Sequence, residues 1–378
     1  MSSDLATDLQ KVCNVEENKR ILITNVNGLL GHSLFESMRN DHITITQEGK
    51  QPHRFLGTMN GSNAGTPSPS ETIKLLESKA KPKTFIKQVR EADYIILDIS
   101  QFACNLEEPE MVIKALKFAD GAPSTKEQVL IVVTSPMSWS KTSPKEDESA
   151  FTDQDSGAGV PLPKYSGVKS LELSAQVLHK YNSKIRVHVV CSGFMYGNGE
   201  QNDIFYEFFR RAWVSLHPKL AALPVIGTGN NNLPTIHVTD LALCLDRILL
   251  HGKDYKNYLI AVDQSPSSTQ RSIMTAITEG IGSGDVQETP ISDVVNESWC
   301  EFMTVNVKLQ TSACLRAAFE WKCPTGINNQ TMTMLNEEFN YFRGLFPLKV
   351  FITGAPCSGK TYFAKKLNEL YGIPHLMV

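Results

Sequence analysis

The stretch Arg20-Ile-Leu-Ile-Thr24, followed by Asn25-Val-Asn-Gly28-Leu-Leu-Gly31, decides the fold of this chain. Three apolar residues in a row, without polar alternation, predict a strand that is buried on both faces, as in a parallel sheet. A turn with glycine follows the strand, and residues 29–38 predict a helix. The order strand, glycine turn, helix indicates an α/β fold.

The same alternation continues outward from this stretch. Further strands are predicted at 42–46, 93–99, 128–134 and 186–191, and helices at 84–90, 111–119 and 165–181. Alternating strands and helices predict an α/β, Rossmann-like, doubly wound parallel sheet with helices on both faces. Residues 204–251 contain fewer predicted strands, with helices at 204–216 and 238–251 and a short strand at 223–229. This C-terminal region is expected to cap the carboxyl edge of the sheet, where ligands of open α/β sheets bind.

Composition and charge exclude several classes of protein. The 378 residues contain 37 basic and 40 acidic residues, a formal net charge of −3. Binding to nucleic acid or to an anionic membrane surface is therefore not expected, because both require a basic surplus. The first ten residues contain two aspartates and no basic residue, unlike a signal or transit peptide. The eight cysteines form no C-x-x-C pair, so we expect a cytoplasmic protein with reduced thiols and no structural zinc.

The turn after the first strand is a candidate dinucleotide-binding loop. Gly28 and Gly31 lie where backbone N–H groups can approach a pyrophosphate at a helix N-terminus. Asn25 takes the position of the first glycine; asparagine tolerates a positive φ, but its side chain crowds the pyrophosphate. Glu48 has the spacing of a ribose-binding acid. A cofactor loop and a simple strand–helix turn both remain open.

A tyrosine and a lysine four residues apart form a second candidate site. Tyr165 and Lys169 share one helix face, and a lysine ammonium favours the phenolate that a general acid/base for hydride transfer needs. Tyr362 and Lys366 have the same spacing, so spacing alone is weak evidence. Ser135 strengthens the case, because it ends the apolar strand upstream and offers a partner hydroxyl.

A third motif occurs near the C-terminus. Residues 354–361 fit the pattern G-x₄-G-K-[ST], after a predicted strand at 348–353 and before a predicted helix at 362–371. Backbone N–H groups of such a loop cradle phosphates, and the lysine reaches the β and γ oxygens. The residues predicted to hold ATP phosphates are Gly354, Cys357, Ser358, Gly359, Lys360, Thr361 and Tyr362, and Thr361 is also a candidate ligand of the Mg²⁺ that accompanies ATP.

Residues 18–290 resemble the extended short-chain dehydrogenases, the NAD-dependent epimerase/dehydratase family. The matching stretches are the Gly28/Gly31 loop, Thr134-Ser135, Tyr165/Lys169, 194–197 and 224–240. The resemblance implies an NAD(P) cofactor at the first loop and proton chemistry by Ser135, Tyr165 and Lys169. Three positions depart from the family pattern: Asn25, the segment 97–100, and Cys191-Ser192 where Arg-Pro is common.

Residues 347–378 resemble the opening of an adenylate kinase. The loop is similar to Gly-Pro-Pro-Gly-x-Gly-Lys-Gly-Thr of that family, with Cys357 in place of a glycine. An epimerase-like domain directly ahead of a kinase loop resembles a long adenylate kinase of motile cilia. This implies ATP and AMP as ligands and axonemal or other cytoskeletal proteins as partners. The AMP site and lid are not recognised, so we expect a truncated kinase segment.

These observations predict four parts: an N-terminal tail at 1–17, an epimerase-like domain at 18–290, a helical connector at 291–346 and a kinase segment at 347–378. The leading hypothesis is a nucleoside monophosphate kinase relative whose epimerase-like domain is a module for binding or assembly. The alternative is an active NAD(P)-dependent oxidoreductase or epimerase. A structural axonemal protein without a ligand is a third possibility.

Overall fold

The structure is a computed structural model, and it describes residues 19–47, 53–59, 73–100, 105–117, 126–200, 204–214, 222–265, 267–345 and 349–371. A parallel sheet of seven strands lies at the centre of this described part. Its strands are β1 (Arg20–Ile23), β2 (Arg54–Gly57), β3 (Ile73–Leu75), β4 (Tyr94–Asp98), β5 (Gln128–Thr134), β6 (Ile185–Ser192) and β10 (Tyr258–Ala261). Their order is β10-β6-β5-β4-β1-β2-β3. The order reverses between β1 and β4, which is where open α/β sheets bind ligands. The predicted Rossmann-like fold is confirmed.

Helices cover both faces of this sheet, and further helices lie in the region after the sheet and near residue 371. In chain order, the described helices are α1 (Leu29–Gln47), α2 (Pro82–Glu91), α3 (Glu107–Lys117), α4 (Ser166–Gln176), α5 (Ile204–Val214), α6 (Val238–His251), α7 (Gln270–Ile281), α8 (Ile291–Val294), α9 (Cys300–Met303), α10 (Ala313–Arg316), α11 (Met332–Phe342) and α12 (Lys360–Tyr371). Alternate residues of β5 enter two separate hydrophobic cores: Leu130 and Val132 one of them, Ile131 and Val133 the other. This two-sided burial explains why β5 has no polar alternation.

The predicted strand at 42–46 is wrong, because these residues belong to α1. The place beside β1 is taken instead by β2, which pairs with it residue by residue from Arg20↔Arg54 to Ile23↔Gly57. The β-branched residues of 42–46 suggested a strand, but β propensity depends strongly on context. A helix that has already formed extends at little cost, since each added residue gains a hydrogen bond.

The region after the sheet forms a cap of helices and two small parallel sheets. One sheet pairs β7 (Phe194–Tyr196) with β9 (Thr235–His237), and the other pairs β8 (Leu223–Ile226) with β11 (Val286–Thr289). Residues on both sides of position 290 enter the same core, among them Ile277, Trp299, Cys323 and Phe339. The hydrophobic core is therefore continuous across the boundary that the sequence suggested there.

Residues 349–371 differ from everything before them. The segment 349–353, where the sequence predicts a buried strand, is not a strand, and the Phe351 side chain is 87% exposed. Helix α12 contains no buried residue. The described part of this segment thus consists of a loop and a helix without an apolar core. Among the described residues, no helix is long and apolar enough to cross a membrane.

Candidate functional site

The loop after β1 adopts the turn that its sequence predicts. Asn25 has φ of 53°, in the left-handed region, so it takes the conformation for which glycine is normally needed. Its carbonyl accepts a hydrogen bond from the Gly28 N–H at 2.8 Å. A Cβ on Gly31 would lie 2.3 Å from the Asn25 carbonyl oxygen, so Gly31 allows α1 to pack directly on the loop. Asn25, Gly28 and Gly31 therefore come together as one tight turn.

The Asn25 side chain occupies the concave side of this turn. A Cβ placed on Gly28 would lie only 2.5 Å from Asn25 Nδ2, so the amide covers the Gly28 Cα. The amide also hydrogen-bonds the buried Asp98 carboxylate at the end of β4. In a dinucleotide-binding loop, the glycine backbone approaches the pyrophosphate at this place. The Asn25 amide therefore takes up space beside the Gly28 backbone that a dinucleotide-binding loop leaves open.

Two carboxyl groups, Asp98 and Glu108, lie next to this loop. Asp98 accepts bonds from the Ser100 hydroxyl at 2.6 Å and from the Ser100 N–H at 3.0 Å. Burial raises the pKa of Asp98, and the hydrogen bonds from Ser100 and Asn25 oppose that rise. Glu108 accepts from the Thr58 hydroxyl at 2.6 Å, and Thr58 in turn accepts from the Asn25 N–H at 3.2 Å. Two carboxyl groups thus stand beside the loop, and neither has a cationic partner among the described residues.

A cavity of about 520 Å³ opens at this edge of the sheet, lined by Asn25, Asp98 and Glu108 among others. It corresponds in position to the ligand crevice of a doubly wound sheet, at the reversal of strand order. Glu48, the predicted ribose-binding acid, lies outside the described residues. The crevice of the fold is therefore present, and carboxyl side chains lie in the part of its lining next to the loop.

Tyr165 and Lys169 are both buried at the start of α4, and each is bound to a carboxylate. The Tyr165 hydroxyl donates to Glu301 Oε2 at 3.1 Å, which also accepts from Lys164 Nζ at 2.8 Å. Lys169 Nζ donates to Glu172 Oε1 at 2.6 Å, one helical turn further on. A phenol that donates to a carboxylate is engaged as a donor, which opposes the phenolate that proton abstraction requires.

Glu172 changes the electrostatics of the Tyr–Lys pair. The Glu172 side chain is fully buried, and burial raises the pKa of its carboxyl, which the charge of Lys169 opposes. Ser135 follows β5 and precedes a 3₁₀ turn, Pro136–Trp139, against which α4 packs. The structure thus places Ser135 and Tyr165 on neighbouring elements. The ammonium of Lys169, however, is paired with Glu172.

Glu172 and Glu301 belong to this site but were not predicted from the sequence. Glu172 could have been recognised, because an acid three residues after a lysine lies on the same helix face. Glu301 is 136 residues from Tyr165 in the sequence, and no local pattern predicts that contact. It comes from α9, a four-residue helix of the cap.

The loop 354–361 contains two residues in the left-handed conformation and leads directly into a helix. Cys357 and Gly359 have φ of 62° and 82°, and α12 begins at Lys360. Lys360 Nζ donates to the carbonyl oxygens of Gly354 and Ala355, both at 2.8 Å. Cys357, Ser358, Gly359, Thr361 and Tyr362 are exposed. N–H groups at a helix N-terminus and a lysine side chain are the groups that bind a nucleotide phosphate. Lys360 could contact such a phosphate only after its bonds to the Gly354 and Ala355 carbonyl oxygens are broken.

Comparison with curated proteins supports a kinase relative. The chain is 28% identical to mouse adenylate kinase 7 over 296 residues, which make up 76% of this chain and 47% of that protein. It is 30% identical to adenylate kinase 7 of Macaca fascicularis over 202 residues, 52% of this chain and 36% of that protein. The chain spans less than half the length of these relatives. No protein-family model matches it.

Solved structures with the same fold are epimerases and dehydratases. A dTDP-glucose 4,6-dehydratase of Bacillus anthracis in complex with NAD has a TM-score of 0.62 at 14% identity and covers 87% of this chain and 100% of its own. A human epimerase family protein with NADPH has a TM-score of 0.57 at 15% identity, over 84% of this chain and 99% of its own. At such identities the likeness concerns the fold. The resemblances to an adenylate kinase and to the epimerase family are both confirmed as similarities.

Proposed function

We propose that this chain is an adenylate kinase 7-like protein in which the epimerase-like domain is a module for binding or assembly, not a redox enzyme. The observation that carries the proposal is the Asn25 side chain over Gly28, in the place where a dinucleotide phosphate has to lie. The pairing of Lys169 with Glu172 supports it, because the ammonium is then not available to activate Tyr165.

The loop 354–361 is proposed to bind the phosphates of ATP, with Lys360 at the β and γ oxygens and Thr361 next to an accompanying Mg²⁺. Phosphoryl transfer from ATP to AMP is proposed for the longer relatives. Transfer requires that two nucleotides be held in line and that developing charge be neutralised. A loop and one exposed helix do not provide these groups, so the chain as given is proposed to bind ATP weakly without turnover.

Calorimetric titration of the folded chain with NAD⁺, NADPH and ATP tests the proposal. We expect weak binding of ATP and no binding of either dinucleotide at low micromolar concentration. A low-micromolar Kd for NAD⁺ or NADPH would contradict the proposed role of Asn25. In a separate assay, ATP plus AMP should give no ADP above background, and turnover that disappears in Lys360→Ala would contradict the second part of the proposal.

The alternative function is an NAD(P)-dependent oxidoreductase or epimerase that uses Ser135, Tyr165 and Lys169. One observation favours it: Tyr165, which directly precedes α4, and Lys169, near the start of that helix, are both buried. Reduction of NAD(P)⁺ by any nucleotide sugar, lost in Tyr165→Phe and kept in Tyr181→Phe, would establish this alternative. Tyr181 is an exposed tyrosine and serves as the control.

Axonemal or other cytoskeletal proteins are the proposed partners, and the cytoplasm and motile cilium the proposed locations. The similarity to adenylate kinase 7 supports this part of the proposal. A domain that binds no dinucleotide can still contribute to assembly. Cosedimentation of the purified chain with isolated axonemes is the direct test. Equal recovery in the supernatant with and without axonemes would contradict it.

A further inference from the structure

A second cavity, of about 420 Å³, lies beside the edge strand β10. It shares no lining residue with the cavity next to Asn25. Its walls are the loop 232–235, the residues 262–265 that follow β10, and the segment 308–311. These segments meet because Val262 N–H donates to the Thr311 hydroxyl at 3.2 Å, and Val307 N–H donates to the Asn232 carbonyl at 3.1 Å. The cavity is therefore bounded by hydrogen-bonded backbone.

Two cations line this cavity without carboxylate partners. Lys308 Nζ lies 3.4 Å from the Glu148 carbonyl oxygen, and Arg316 Nη2 donates to the Thr311 carbonyl at 3.1 Å. Neither residue takes part in a salt bridge within the described part of the chain. Lys256, in contrast, is paired with Asp153 at 2.9 Å. Two basic residues thus line one cavity, and neither is paired with a carboxylate in the part of the chain that the structure describes.

The carboxyl group that lines the cavity, Asp263, is engaged by hydroxyl groups of the protein. Its Oδ2 accepts from the Tyr196 hydroxyl at 3.0 Å and from the Thr235 hydroxyl at 2.8 Å. Its Oδ1 is buried and has no hydrogen-bond partner among the described residues. Burial raises the pKa of Asp263 well above its usual range, which favours the neutral acid. The two basic side chains on the lining therefore outnumber its one carboxyl group, which is occupied by hydroxyl groups of the protein itself.

Neutral polar side chains complete the lining. Gln264, Ser265, Ser268 and Gln310 border the cavity, and Gln264 and Gln310 are exposed. Amide and hydroxyl groups of this kind donate to and accept from sugar hydroxyls, whereas an apolar ligand would leave them unpaired. The ligand that suits the site is therefore small, polar and anionic.

We propose that this cavity binds a phosphate monoester of sugar size, with its phosphate at Lys308 and Arg316 and its hydroxyls at the glutamine amides. A phosphate dianion matches the two positive charges, and charge-assisted bonds to phosphate are the strong kind of hydrogen bond. A dinucleotide is disfavoured, because the second phosphate and second nucleoside would find no further cation on the lining.

Calorimetry with ribose 5-phosphate, inorganic phosphate and ribose tests this site. The chain is used with Lys360→Ala, so that phosphate binding by the loop 354–361 does not interfere. We expect ribose 5-phosphate to bind, inorganic phosphate to bind more weakly, and ribose to give no signal. Lys308→Gln and Arg316→Gln should each lower the affinity for ribose 5-phosphate at least fivefold, and Lys308→Arg should retain binding.

Lys184→Gln is the matched control, because Lys184 is an exposed lysine outside this cavity. Absence of binding to the Lys360→Ala chain would overturn the proposal. Equal affinity in Lys308→Gln, Arg316→Gln and the control would also overturn it, since the phosphate would then bind elsewhere. The circular dichroism spectrum and Tm of each variant show that it is folded, and both substituted side chains are exposed.

Discussion

Two loops of this chain follow the same sequence plan but have different surroundings. In each, a glycine turn leads into a helix, and in each a residue other than glycine has a positive φ: Asn25 at 53° and Cys357 at 62°. Asn25 is buried and bonded to Asp98, whereas Cys357 is exposed in a segment without a core. The glycine pattern therefore sets the backbone path, and the neighbouring elements decide whether a phosphate has room.

The largest expected difference between the two regions concerns local stability. Backbone amides of β5 should open only with global unfolding, whereas those of α12 should open almost freely, because α12 buries no side chain. We expect at least a thousandfold difference in protection between residues 129–133 and 361–371, measured by hydrogen exchange with mass spectrometry. Equal protection would mean that residues 361–371 are packed against another surface of the protein or of a partner.

The next prediction compares one glycine from each loop. A Cβ at Gly31 would lie 2.3 Å from backbone, whereas one at Gly354 would meet the movable Ser358 hydroxyl at 2.7 Å. Gly31→Val should lower the free energy of unfolding by about 3 kcal/mol, through overpacking against backbone that cannot move. Gly354→Val should leave it unchanged. Urea unfolding followed by tryptophan fluorescence measures both, and a similar loss in both variants would contradict the comparison.

The third prediction concerns removal of the Asn25 side chain from the loop after β1. Asn25→Gly removes the side chain that covers Gly28 and keeps the left-handed turn accessible. Binding of NAD⁺ should tighten by about tenfold, roughly 1.4 kcal/mol. Asn25→Asp is the matched variant: it keeps the size of the side chain but adds a charge beside Asp98, so it should not bind. If Asn25→Gly and Asn25→Asp titrate alike, the side chain is not what excludes the dinucleotide.

The smallest expected effect concerns the exposed loop. Lys360→Ala should lower the affinity for ATP about fivefold, because one charge-assisted contact in a solvent-exposed site contributes roughly 1 kcal/mol to binding. Cys357→Gly should leave ATP binding unchanged, because the loop already has the left-handed conformation with cysteine at this position. Lys365→Ala, one helical turn further on, is the control. Titration calorimetry at fixed Mg²⁺ measures all three, and an unchanged Kd in Lys360→Ala would exclude this loop as the ATP site.

Strands and helices whose residues determine them locally were predicted from the sequence, and those that depend on neighbouring elements were not. The strand 128–134 and the helix 238–251 were predicted with their observed bounds, because each is long and has one unambiguous apolar pattern. The strands β2, β3 and β10 were not predicted. Each has only three or four residues, and its assignment depends on the strand beside it in the sheet.

The sequence by itself determined the class of fold, the position of both glycine loops and the left-handed tolerance of Asn25. These features follow from local sterics and from the period of apolar residues. Only the tertiary structure decided that Asn25 covers Gly28, that Glu301 binds Tyr165 and that Lys308 and Arg316 face one cavity. Contacts of this kind join residues far apart in sequence. Their geometry depends on how helices and strands pack, and no local pattern encodes that packing.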